Sequence, residues 1–109
     1  MATSTIKKPF DRQDMQTVSH VLVATGATIE ANSYLAGSVQ IEKSGYYPVG
    51  IVGWSTSGSG ANQAYISIPR CRLSSVTTGS AQIDYVMSNL KSADLTGMGL
   101  TAYVLWIKV

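Results

Sequence analysis

From Met15 onward, apolar positions recur mostly at every second residue, in short runs separated by Gly, Ser, Asn and Pro. A period of two puts alternate side chains on opposite faces of a strand. Thr17 to Ala24 alternates β-branched and other apolar residues, and Thr25-Gly26 reads as a turn. Thr28 to Ile41 reads as one or two strands, with breaks expected at Asn32-Ser33 or Gly37. Ser44-Gly45 is a second tight turn. Tyr46 to Trp54 is a strand rich in Val, Ile and aromatics, and Ser55 to Asn62 a Ser/Gly loop. Gln63 to Leu73 is a strand interrupted at Pro69, followed by a loop over Ser74 to Ser80. Gln82 to Leu90 alternates well; Lys91 to Gly99 is a loop with one helical turn expected at Ser92-Ala93-Asp94; Leu100 to Val109 is the final strand. No segment of helical length carries apolar residues at i, i+3, i+4 and i+7.

The expected fold class is therefore all-β: an antiparallel β-sandwich or jelly-roll-like domain of about six to eight strands. Residues 15–109 form this single domain, and 1–14 form a polar N-terminal leader containing Lys7, Lys8, Asp11, Arg12 and Asp14. The alternation changes phase around Pro69, which a β-bulge there would reconcile. Cys71 reads as a buried core thiol, the common fate of a free cysteine.

Two strands lack a polar face. In the last, Tyr103, Leu105, Ile107 and Val109 lie on one side and Leu100, Ala102, Val104 and Trp106 on the other. In the Tyr46 to Trp54 strand, Tyr47, Val49 and Ile51 oppose Pro48, Val52 and Trp54. A half-exposed antiparallel strand alternates apolar with polar. The second apolar side must be covered by loops, by the leader or by another subunit. Gly50 and Gly53 would allow close approach of another backbone. A homo-oligomer is expected, with Val52, Val104 and Trp106 as candidate subunit-interface residues.

Composition sharpens this picture. The chain has 109 residues, of which only 13% are charged, and its net charge is +2. A typical soluble domain carries about 25% charged residues. The low value excludes a coiled coil, a charged disordered tail and a polybasic nucleic-acid module. Neither a signal peptide nor a membrane helix is visible, so synthesis in a cytoplasm without membrane insertion is expected.

Candidate chemistry is sparse. A triad could use only His20, the single histidine, and no Gly-x-Ser-x-Gly elbow is present. One His and one Cys do not make a metal site. The six acids are spread along the chain with nothing to pair any two. Arg70 and Arg72 share a strand face, where Asp84 is a candidate cross-strand partner. No catalytic, cofactor or metal site is expected, and the chain reads as a non-enzyme. Binding is the better candidate activity. Tyr and Trp suit both sugar stacking and interface anchors, and Trp54, Tyr46 and Tyr65 are the candidate ligand-binding residues.

The segment Gly45-Tyr46-Tyr47-Pro48-Val49-Gly50-Ile51-Val52-Gly53-Trp54, the Ser/Gly/Asn-rich loop after it and the ending Ala102-Tyr103-Val104-Leu105-Trp106-Ile107-Lys108-Val109 resemble small phage and prophage appendage proteins. These are tail-fibre or head-fibre domains from viruses of gut bacteria. The opening Thr5-Ile6-Lys7-Lys8-Pro9 is similar to their starts. The resemblance implies a virion structural protein, a homotrimer along a fibre axis, and a part in host-surface attachment, with no catalytic residues. Fibre tips are often the last domain of a long chain, whereas this one begins at Met1. If complete, it would dock on other virion proteins through its leader. The alternatives are a carbohydrate-binding β-sandwich module, recognising a host-surface glycan, and a capsid decoration protein.

Overall fold

The computed structural model describes residues 15–109; the leader lies outside them. Six strands follow one another as β1 (Gln16–Ile29), β2 (Tyr34–Glu42), β3 (Tyr46–Ser57), β4 (Ile66–Thr77), β5 (Ser80–Asn89) and β6 (Leu95–Lys108). A single helical turn, α1 (Gly60–Gln63), sits between β3 and β4. The strands form two three-stranded antiparallel sheets, ordered β1-β6-β3 and β2-β5-β4. The expected all-β sandwich is present, at the low end of the expected strand number.

Among the described residues, β4 and β5 are the only consecutive strands that pair with each other; every other connection between these strands crosses from one sheet to the other. β6 is the centre of the first sheet and β5 of the second. Their inward side chains therefore form most of the core: Leu95, Met98, Leu100, Ala102, Val104 and Trp106 from β6, and Ala81, Ile83 and Met87 from β5. Val23, Ile29 and Ile41 complete it from the edge strands. Each fully buried Leu, Ile, Val or Met side chain contributes about 1.5–3 kcal/mol. Trp106 Nε1 is buried without a hydrogen-bond partner among the described residues.

The turns follow local chemistry. Gly45 and Gly79 take left-handed conformations, at φ 83° and 85°, in the adjacent β2–β3 and β4–β5 turns. Asn32 turns the chain between β1 and β2 at φ 53°, so the break falls at Asn32-Ser33 and Gly37 stays within β2. The pairing shifts between Ser67 and Arg70, which is the bulge expected at Pro69.

Four expectations change. Thr25-Gly26 is not a turn: β1 continues through it, and its register with β6 shifts there. Turn-forming residues serve a bulge equally well, because both need relaxed backbone angles. Lys91 to Gly99 is largely strand, since β6 begins at Leu95; the chain bends over Lys91, Ser92 and Ala93, and Ser92-Ala93-Asp94 makes no helical turn. The helical turn is at Gly60–Gln63 instead, where Ser59 Oγ accepts from Asn62 N–H. The Ser74 to Ser80 loop shrinks to Thr78-Gly79 between β4 and β5.

Asn89 fastens the end of the sandwich where β1 turns into β2 and β5 into β6. Its side chain is almost fully buried. Nδ2 donates to Ile29 O at 3.0 Å, Glu30 O at 3.1 Å and Ala93 O at 2.9 Å, while Oδ1 accepts from Lys91 N–H at 2.8 Å. One amide thus serves both crossover turns, and Asp94 adds a carboxylate acceptor for Ala31 N–H. Removing a buried partner strands the groups it served, at about 1–3 kcal/mol for each group left unsatisfied. Asn89→Ala is expected to lower the unfolding free energy by about 2–3 kcal/mol, read from urea denaturation.

Candidate functional site

The two sheets present different outer faces. The strands of the β2-β5-β4 sheet contain Glu42, Asp84, Arg70 and Arg72. Arg72 stands opposite Asp84 in the register, with Ser38 across β5 from it. Gln82 Nε2 donates to Asp84 Oδ1 at 3.3 Å. This is an ordinary solvated face.

The β1-β6-β3 sheet has one charged residue, Lys108, at the end of β6. The strand register places its outward positions in rows. Gln16, Ile107 and Tyr47 form the first; Val18, Leu105 and Gly50 the second; His20, Tyr103 and Gly53 the third; Leu22, Thr101 and Ser55 the fourth. No row contains a Lys, Arg, Asp or Glu. Leu22 is 58% exposed and Val18 46%. Tyr47 and Ile107 are exposed as well.

β3 adds two more valines through bulges. The register shifts between Pro48 and Gly50 and again between Ile51 and Gly53, so Val49 and Val52 are the extra residues. Both are more than half exposed. Paired bulges also blunt this edge against strand addition.

The third row is held together by packing and one hydrogen bond. The His20 and Tyr103 rings have centroids 4.7 Å apart and are tilted by 49°. Tyr103 O–H donates to Ser55 Oγ at 2.8 Å. A Cβ at position 53 would stand 3.1 Å from Tyr103 Cδ2. Gly53 therefore makes room for a ring of its own chain, whereas Gly50 faces open space.

The candidate interface residues divide. Val52 is exposed beside this face. Val104 and Trp106 are core residues, at 0% and 1% exposure, and offer no surface to a partner. The outward residues of β6 are those of opposite parity, Tyr103, Leu105 and Ile107.

The candidate ligand residues are not brought together. Tyr46 begins β3 and Trp54 lies eight positions on, roughly 26 Å along an extended strand. Lys43 Nζ lies 4.7 Å from the Tyr46 ring centroid, and Lys91 Nζ lies 5.2 Å from that of Tyr65. On each tyrosine a lysine thus takes a ring face that a sugar would need. Trp54 pairs with the inward residue Ala102 and is 48% exposed because β3 is an edge strand. The loop after it is ordered: Gln63 accepts from Thr56 Oγ1 at 3.1 Å and donates to Gly58 O at 3.0 Å.

An open cleft of about 420 Å³ lies between the β3 and β4 edges, lined by residues 47–51 of β3, so that Tyr47 and Val49 border it as well as the outer face, and by Cys71, Arg72, Leu73 and Val76 of β4. Cys71 faces inward opposite Tyr85 and is half-buried, not fully buried as expected from the sequence. Desolvation by burial raises its thiol pKa. The described residues contain no cluster of three His, Cys, Asp or Glu, and no helix long and apolar enough to cross a membrane.

The chain matches no protein-family model, no curated protein and no solved structure.

Sequence reading missed Val18, Leu22 and His20 as surface-site residues. The available signal was the lack of any Lys, Arg, Asp or Glu from Gln16 to Ile29, a whole edge strand.

A raised thiol pKa leaves less thiolate at neutral pH, and the thiolate is the nucleophile. Cys71 is therefore expected to alkylate with iodoacetamide several-fold more slowly at pH 7.5 in the folded chain than in the urea-unfolded chain. Its rate should still be rising with pH where an unperturbed thiol has levelled off.

Proposed function

We propose that this protein is a non-catalytic structural subunit of a virion appendage, a fibre or fibre tip that takes part in host-surface attachment. The observation supporting a subunit is the outer face of the β1-β6-β3 sheet. It exposes Val18, Leu22, Tyr47, Val49 and Val52 and contains no formal charge, beside a second sheet with an ordinary polar face. Monomeric proteins rarely expose contiguous apolar patches beyond a few hundred Å². The appendage part of the reading comes from the sequence resemblance at Gly45 to Trp54 and Ala102 to Val109. A homotrimer is the assembly that this resemblance favours.

The carbohydrate-binding alternative receives less support, since Trp54, Tyr46 and Tyr65 do not converge and lysines lie over two of the rings. The capsid-decoration alternative shares the subunit prediction and differs in its target. Light scattering of the full chain at micromolar concentration is expected to give a multiple of 11.6 kDa, with three copies favoured. The labelled oligomer should bind intact gut bacteria of a susceptible strain. A single-chain mass would sink the subunit reading; an oligomer that binds assembled shells and no cells would replace attachment by decoration.

A further inference from the structure

We infer that the outer face of the β1-β6-β3 sheet packs against the same face of another copy of this chain. The inference rests on the subunit reading above, not on the number three: a face packed on its own copy makes a two-fold pair, so an even number of copies is expected, and a wild-type trimer overturns the same-face pairing.

Charge selects the partner. A surface designed for a charged partner carries complementary charge, because like charges across an interface cost several kcal/mol. The four rows of this face have no Lys, Arg, Asp or Glu to complement. The same absence makes the face compatible with itself in any rotation.

One polar group on the face is already paired within its own copy. The Tyr103 hydroxyl, near the middle of the face, donates to Ser55 Oγ. Covering it leaves the Tyr103 proton paired, which lowers the desolvation cost of that hydroxyl, while the Ser55 proton must find an acceptor across the interface. Tyr103 is held by His20 on one side and Gly53 beneath, a preorganised aromatic of the kind that anchors interfaces.

The chain's own leader is a poor cover. Residues 1–14 contain five charged residues, with Ile6 and Phe10 as the large apolar side chains besides Met1. Burying that charge on an uncharged face would leave it unpaired.

The area is adequate. Three strands and seven residues span roughly 14 by 23 Å from strand spacing and rise. With side-chain relief and the β3 valines, the face amounts to on the order of 500 Å² per copy, so apposing two removes about 1,000 Å² from water, the threshold of a specific interface.

The test uses the full chain with Leu22→Glu and, separately, Val18→Asp. Both positions are about half exposed, so a lone copy solvates the new charge and circular dichroism should keep its β signal. Ser38→Lys, which faces Asp84 on the polar outer face of the other sheet, is the control. The expected result is that both face variants fall to single-chain mass at micromolar concentration, their association weakened about 100-fold or more, while the control keeps the wild-type mass. A second measurement removes dependence on association strength. In a Cys71→Ser background, Leu22→Cys should cross-link between copies with a short bis-maleimide, and Ser38→Cys should not. A folded Leu22→Glu chain that keeps the wild-type oligomeric mass, or cross-linking through position 38 alone, overturns the same-face pairing and leaves the subunit reading intact. A wild-type chain that stays single at all concentrations overturns both.

Discussion

A two-layer sandwich can hide only one face of each sheet. In the β2-β5-β4 sheet that rule has a simple outcome, because inward Ile83 and Met87 alternate with outward Asp84 and Ser88. In the β1-β6-β3 sheet it does not. β6 is apolar on both sides, and as the centre strand it fixes its two neighbours. Its even positions, from Met98 to Trp106, make the core with β5. Its odd positions, Tyr103 to Ile107, then have nowhere to point but outward. The rest of that face follows, since β1 and β3 must match β6 row by row. The core and the uncharged surface are two sides of one strand.

One end and the open side of the molecule are treated differently from that face. At one end Asn89 gathers the carbonyls of both crossover turns, a job that no apolar residue of similar size could do. Along the β3 and β4 edges, bulges, Pro48, Pro69 and the two arginines interrupt what would otherwise be continuous rows of free backbone groups. Such features discourage strand-to-strand aggregation. The same chain thus guards one lateral side against nonspecific pairing while leaving a broad face without charge. That contrast fits selective association through side chains better than indiscriminate stickiness.

Much of the fold was legible in the sequence, because a period of two survives most of the chain. The sandwich, the turn at Ser44-Gly45 and the bulge at Pro69 all rest on local signals. The face assignment of β6 does not. With Val104 and Trp106 on one side and Leu105 and Ile107 on the other, no polar residue marks which set is outside. Only pairing with distant strands decides it, and it put the candidate interface residues Val104 and Trp106 inside. Gly53 is a similar case. A glycine in a strand announces a close approach, but not whether by a backbone or, as here, by the ring of Tyr103. The bulge at Thr25-Gly26 uses the residues a turn would use. Spatial grouping of Trp54, Tyr46 and Tyr65 was beyond local signals altogether, since it depends on where along the strands each one falls.

The strand order has a consequence for how the fold is reached. β5 and β6, the two centre strands, come last along residues 15–109. β1 and β3 have their ladder partner in β6, and β2 and β4 have theirs in β5. Gln16, at the start of β1, meets Ile107, near the end of β6. No ladder can therefore close while the chain is being made until Ser80 onward has emerged, and the uncharged β1 waits longest. Closing such long loops before any pairing is rewarded makes for slow folding. During that interval β1 and β3 stand unpaired, with scarcely a charge between them to keep chains apart. The newly made polypeptide, more than the finished domain, is the form most exposed to mispairing with its neighbours.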